Sequence, residues 1–145
     1  MIMKTSTIIE VYQLLNNAKL TKMEAKEKFQ VIKIVRAMKP VAEEWDSFIK
    51  TMDEKLKDDN HEEMLAKAQR WQKEGEKTTL SLDERMEVNE YFGKLERERR
   101  ELIAPEQSKE VDVSFDKLTE EAFEHLIDSN DFVVYQIMSL QDLVG

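Results

Sequence analysis

The stretch TKMEAKEKFQVIKIVRAMKPVAEEWDSFIKTMDEKL, from Thr21 to Leu56, decides the fold. From Met38 onward its apolar residues fall at Met38, Val41, Trp45, Phe48, Ile49, Met52 and Leu56. Steps of three and four place them in one stripe along a helix, a spacing that a strand does not produce. Thr21-Lys-Met-Glu24 fits a capping box, in which the hydroxyl and the carboxylate each satisfy a free backbone N–H, so the helix is expected to begin there. These 36 residues would measure about 54 Å as one straight helix. A compact domain of 145 residues spans only about 38 Å. The helix must therefore bend or protrude, and Pro40, which removes a backbone donor and crowds the preceding turn, is the expected kink.

The two halves of this helix differ. Val31, Ile34, Val35 and Met38 continue the stripe, whereas Ala25, Phe29 and Ile32 lie almost opposite, so the first half predicts neighbours on two sides and a buried Phe29. After Pro40 a single stripe predicts one partner, in this chain or another, and makes Val41, Trp45, Phe48 and Met52 candidate protein-interaction residues. Tryptophan at an interface is a typical anchor, but Trp45 and Trp71 read first as core residues.

Three glycines and two prolines leave little turn material, which favours few, long helices. The 37% charged fraction points to an elongated bundle rather than a ball. No cysteine is present, so disulfides and thiolate chemistry are excluded. Met1 to Lys4 shows no signal-peptide pattern and no apolar run is long enough to span a membrane, so a bacterial cytoplasm or a virion is the expected location. The net charge of −9 is graded along the chain: residues 1–57 carry 11 basic and 8 acidic side chains, residues 58–110 carry 10 and 15, and residues 111–145 carry 1 and 8. Either the acidic end folds beside the basic end, or the two face different partners.

Around the long helix the sequence predicts a short first helix over Thr5–Asn17 with Ile8, Val11, Tyr12 and Leu15 on its apolar side. Asn60 opens a short helix that Gly75 stops, and Ser81-Leu-Asp-Glu84 is a capping box opening a helix expected to end before Pro105. Pro105 to Glu110 reads as linker. Val111-Asp-Val-Ser-Phe115 alternates as a short strand or extended arm would, and because five residues cannot stand alone it needs a pairing partner; Val111, Val113 and Phe115 are therefore candidate interaction residues. Thr119 caps a helix to about Asp128, and the apolar run from Phe132 to Val144 follows as helix or, in part, strand. The expected class is mainly α, an elongated helical bundle around a Pro-kinked helix with at most a short strand near 111–115. The expected domains are a core over 1–104 and a linker with an acidic helical subdomain over 105–145.

Motifs for chemistry are absent. His61-Glu62 is followed by Leu65 where a zincin requires histidine, and His125 lacks the glutamate three residues before it that di-iron bundles use. Glu121 and His125 share a helix face, which reads as a surface pair. No glycine-rich phosphate loop or nucleophile elbow occurs. No catalytic residue, cofactor, metal or small-molecule substrate is expected, and the protein reads as a non-enzyme. Nucleic acid is the lesser alternative: Lys22, Lys26 and Lys33 on the basic helix 21–39 are candidate phosphate contacts, set against an acidic whole.

A short helix ending Tyr12-Gln-Leu-Leu-Asn-Asn-Ala-Lys-Leu20, then a basic helix, a charged middle and a compact acidic helical ending, resembles small helical proteins of unassigned activity encoded by tailed phages and prophages. The resemblance covers the layout and the first forty or so residues, without a diagnostic motif. It implies a virion component or assembly factor that docks on a larger assembly or on itself, with Val111 to Phe115 and the two terminal helices as docking parts.

Overall fold

The computed structural model describes Met1–Gly145. Its elements are β1 (Ile2–Lys4), α1 (Thr5–Asn16), α2 (Ala25–Leu56), α3 (His61–Glu74), α4 (Leu82–Gln107), β2 (Glu110–Asp112), α5 (Glu120–Asp128) and α6 (Val134–Ser139), with 3-10 turns at Gly75–Lys77 and Gln141–Leu143. This is the mainly α, bundle-like chain that the periodicity predicts. It divides into two compact units, Met1–Asp46 with Glu106–Gly145, and Ser47–Pro105. A separate subdomain over 105–145 is not what forms: the residues after Pro105 complete the fold of the N-terminal ones.

In the first unit β1 and β2 pair antiparallel, with Met3 opposite Val111. The pairing partner of the 111–115 stretch is thus the start of the same chain, and only Glu110–Asp112 is strand. The Thr5 hydroxyl donates to the Lys109 carbonyl at 2.9 Å and ties α1 to the approach to β2. Ile8, Val11 and Leu15 of α1, Val31, Ile34 and Met38 of α2, and Leu118, Ala122, Leu126, Leu140 and Leu143 of the C-terminal segment form one buried cluster. The apolar C-terminal run is anchored as expected: the Leu118 N–H donates to the Leu143 carbonyl at 2.7 Å, and the Gly145 N–H donates to Leu118 at 3.1 Å.

α2 begins at Ala25 rather than Thr21. The backbone N–H of Glu24 is satisfied by the Glu27 carboxylate at 2.8 Å, so the cap shifts three residues along while Thr21 lies in a turn. The helix runs on through Pro40 to Leu56, although Pro40 has no N–H to offer the Arg36 carbonyl. α4 likewise passes through Pro105 to Gln107, three residues beyond the expected stop, so part of the presumed linker is helix.

In the second unit Met52, Met64, Leu80 and Val88 are buried. α3 ends on Gly75, whose φ of 59° is a conformation that a side chain would strain. Glu74 then gathers the turn into α4: its carboxylate accepts the Thr79 N–H at 3.1 Å and the Thr78 hydroxyl at 3.2 Å, and meets Arg70 at 3.3 Å. The predicted capping box of α4 is present, with Ser81 N–H to Glu84 and Glu84 N–H to the Ser81 hydroxyl both at 3.1 Å. Farther along, Arg99 pairs with Asp53 at 3.0 Å.

The two threonines read as caps give a direct test. The Thr119 hydroxyl accepts from the Ala122 N–H at 3.1 Å, so Thr119→Ala should cost about 1 kcal/mol in urea unfolding. Thr21→Ala should stay within about 0.5 kcal/mol.

Candidate functional site

Exposed apolar side chains are notable surface features of this chain. Of the interaction residues expected from the sequence, Met52 and Val113 are buried, at 5% and 4% exposure, and cannot meet a partner. Val41, Val111 and Phe115 are half-buried against the core of the first unit. Trp45 and Phe48 are half-buried as well. The 111–115 stretch thus packs on the core of the first unit, and Met52 of the stripe beyond Pro40 is buried while Trp45 and Phe48 stay partly accessible. Trp71 is half-buried and lines a cavity of about 470 Å³ with Phe92, Val88 and Ala68 in the second unit.

The first half of α2 departs from expectation in the opposite sense. Phe29 and Ile32, predicted to be buried on a second side, are 48% and 40% exposed. The core stripe Val31, Ile34 and Met38 is covered as predicted, but no second layer closes the other face. Ile32 instead lines an open groove of about 360 Å³ between α1 and α2, with Tyr12, Leu15, Leu20 and Val35 as further apolar walls and Arg36 and Lys39 beside them. Lys22, Lys26 and Lys33 are all exposed. Lys26 and Lys33 share a side of α2, while Lys22 sits in the turn before it, and the Lys33 ammonium lies 4.8 Å from the centre of the Phe29 ring.

At the other end of the same unit, Val133, Val134, Tyr135 and Met138 are 61%, 72%, 68% and 60% exposed. The sequence carries a sign of this that periodicity obscures. Phe132 to Tyr135 is four apolar residues in succession, and a helix as short as α6 can turn only part of such a run toward the core. Phe132 packs against the core and the following three do not.

A polar cluster ties the start of α2 to the end of α5. Glu27 is only 4% exposed, and its carboxylate reaches Nδ1 of His125 at 2.9 and 3.0 Å. Beside it the Lys22 N–H donates to the Ser129 hydroxyl at 2.9 Å, and the Asn130 side chain both accepts from the Lys19 N–H and donates to the Lys19 carbonyl, each at 2.8 Å. Spacing pairs His125 with Glu121, and only the fold reveals that it meets Glu27. The hydrogen bond from the Glu24 N–H, then that from His125, hold the Glu27 carboxyl below its ordinary 4.5. The bond to Glu27, assisted by the charges of Glu27, Glu121 and Glu24, raises His125 above its ordinary 6.5. No group of three or more His, Cys, Asp or Glu side chains is arranged to hold a metal ion, and no helix is long and apolar enough to cross a membrane.

No protein-family model, curated protein or solved structure matches this chain.

The Glu27–His125 pair makes stability pH-dependent on both sides. With Glu27 lowered, its contribution is complete above pH 4.5 and is lost as pH falls through its folded pKa; with His125 raised, the contribution is complete below pH 6.5 and is lost as pH rises through its folded pKa. Thermal unfolding midpoints measured from about pH 5 to about pH 9 should decline on the alkaline side in the unaltered chain, and His125→Gln should flatten that decline.

Proposed function

We propose that this chain is a non-enzymatic structural or assembly protein that acts through protein–protein contacts, as a virion component or assembly factor of a phage. The observation that carries the contact reading is the patch Val133, Val134, Tyr135 and Met138, at least 60% exposed at every position. Apolar side chains clustered in this way on a surface mark a site of association, because covering them removes apolar area from water at no cost in buried charge. The phage assignment rests on the resemblance of layout, from the helix ending at Leu20 to the acidic helical close. Val111 to Phe115, first considered as docking parts, give way to α6, since the former pack within the chain.

A regulator that touches nucleic acid is the second reading. The exposure of Lys22, Lys26 and Lys33 supports it, and the net charge of −9 opposes it.

Density-gradient sedimentation of extracts from cells making the chain separates the two. The unaltered chain should travel with a large protein assembly, insensitive to nuclease, and Val134→Glu combined with Met138→Glu should return it to the light fractions without altering its circular dichroism. A chain that sediments alone at 17.1 kDa, or whose fast fraction vanishes with nuclease, contradicts the proposal.

A further inference from the structure

The patch on α6 and the groove between α1 and α2 are complementary, and we propose that they meet between copies of this chain. On this inference, which rests on the contact reading above, the partner of α6 is a second copy, bound head to tail.

The chemistry of the two surfaces matches. Around the patch, residues 128–145 contain Asp128, Asp131 and Asp142 and no lysine or arginine, and all three aspartates are exposed. The groove has an apolar floor, Tyr12, Ile32 and Val35, with Arg36 and Lys39 at its edge. Phe29 and Ile32 extend the apolar surface along the same face of α2. An apolar knob carried by an acidic segment thus matches an apolar groove with Arg36 and Lys39 at its edge, Lys39 also meeting Glu43 at 3.8 Å, the combination that steers association while buried apolar area supplies the affinity.

Their placement decides the symmetry. Ser139 of α6 donates to the Glu10 carboxylate at 2.9 Å, so α6 lies on the Glu10 side of α1. Tyr12, which lines the groove, is two residues on, about 200° around the helix. Knob and groove therefore lie on opposite sides of α1, and the knob of one copy cannot reach its own groove. One such contact leaves a free groove on one copy and a free knob on the other, so addition continues to a ring or a filament instead of stopping at a two-fold dimer.

Sedimentation velocity on the purified full-length chain tests this with two variants altered only at exposed or groove-lining positions. Tyr135→Glu with Met138→Glu disables the knob; Ile32→Glu with Arg36→Glu disables the groove. Each variant alone should be monomeric, with self-association weakened about tenfold or more. Mixed, they should form one-to-one dimers and nothing larger, because the pair retains a single intact knob and a single intact groove. Circular dichroism unchanged from the parent confirms that each variant is folded, and Tyr135→Phe should associate like the parent. A groove variant that still self-associates, or a mixture that yields no dimer, overturns the head-to-tail contact. If the purified parent chain is monomeric while the chain in extracts still enters a nuclease-resistant assembly, the second-copy inference fails and the contact reading stands.

Discussion

The burial of the Glu27 carboxylate is the constraint on which the first unit depends. A carboxylate at 4% exposure is unfavourable unless it is paired and hydrogen-bonded. Glu27 meets the demand with two donors from different parts of the sequence, the Glu24 backbone N–H and the His125 ring. The first is local and opens α2. The second requires the end of α5 to lie on the start of α2, the two partners being 98 positions apart in sequence. Once it does, Ser129 and Asn130 complete the clasp on Lys22 and Lys19, and the few residues that follow carry α6 to α1. The basic beginning and acidic end of the chain therefore fold into one unit, yet the ion pairs between them are only those of the Met1 amino group with Asp112 and of Glu27 with His125, and the lysines and aspartates named above stay exposed.

This arrangement explains why the apolar surface left over is where it is. The clasp and the paired strands consume Val113, Leu118, Leu140 and Leu143 in the core. The clasp fixes the start of the last segment, and the Leu118–Leu143 bond fixes its end, so α6 is held between two anchors as a short loop over the surface. Val134 and Met138, four residues apart on one face, have no core left to enter. On α2 the same logic applies to Phe29 and Ile32: the helix is fully served on its Val31–Ile34–Met38 side, and α1 is too short to cover the other. Both exposed surfaces are by-products of a core that is complete without them, and such surfaces are free to serve partners.

Much of the architecture was legible in the sequence because it is written in local chemistry. The Ser81–Glu84 box, the Thr119 cap, the Gly75 stop and the three-and-four spacing of α2 each depend on residues within one or two turns of each other. Two errors came from local rules with local rivals: Glu27 outcompetes Thr21 as the partner of a free N–H, and Pro105 does not end its helix, since the loss of one hydrogen bond is small beside the packing that a long helix retains. The remaining differences are non-local. No spacing shows that Val111 pairs with Met3, or that His125 prefers Glu27 to Glu121. For the same reason Val113 and Met52 look available for contacts until their long-range neighbours are known.

The surfaces left outside this core are proposed to bind protein, with a second copy as the partner. The most direct measurement is the weight-average mass of the purified chain by sedimentation equilibrium over a wide range of concentration at low and high salt. The account predicts a mass that rises with concentration from 17.1 kDa past that of a dimer, and an association weakened by salt. A constant 17.1 kDa at every concentration would contradict it.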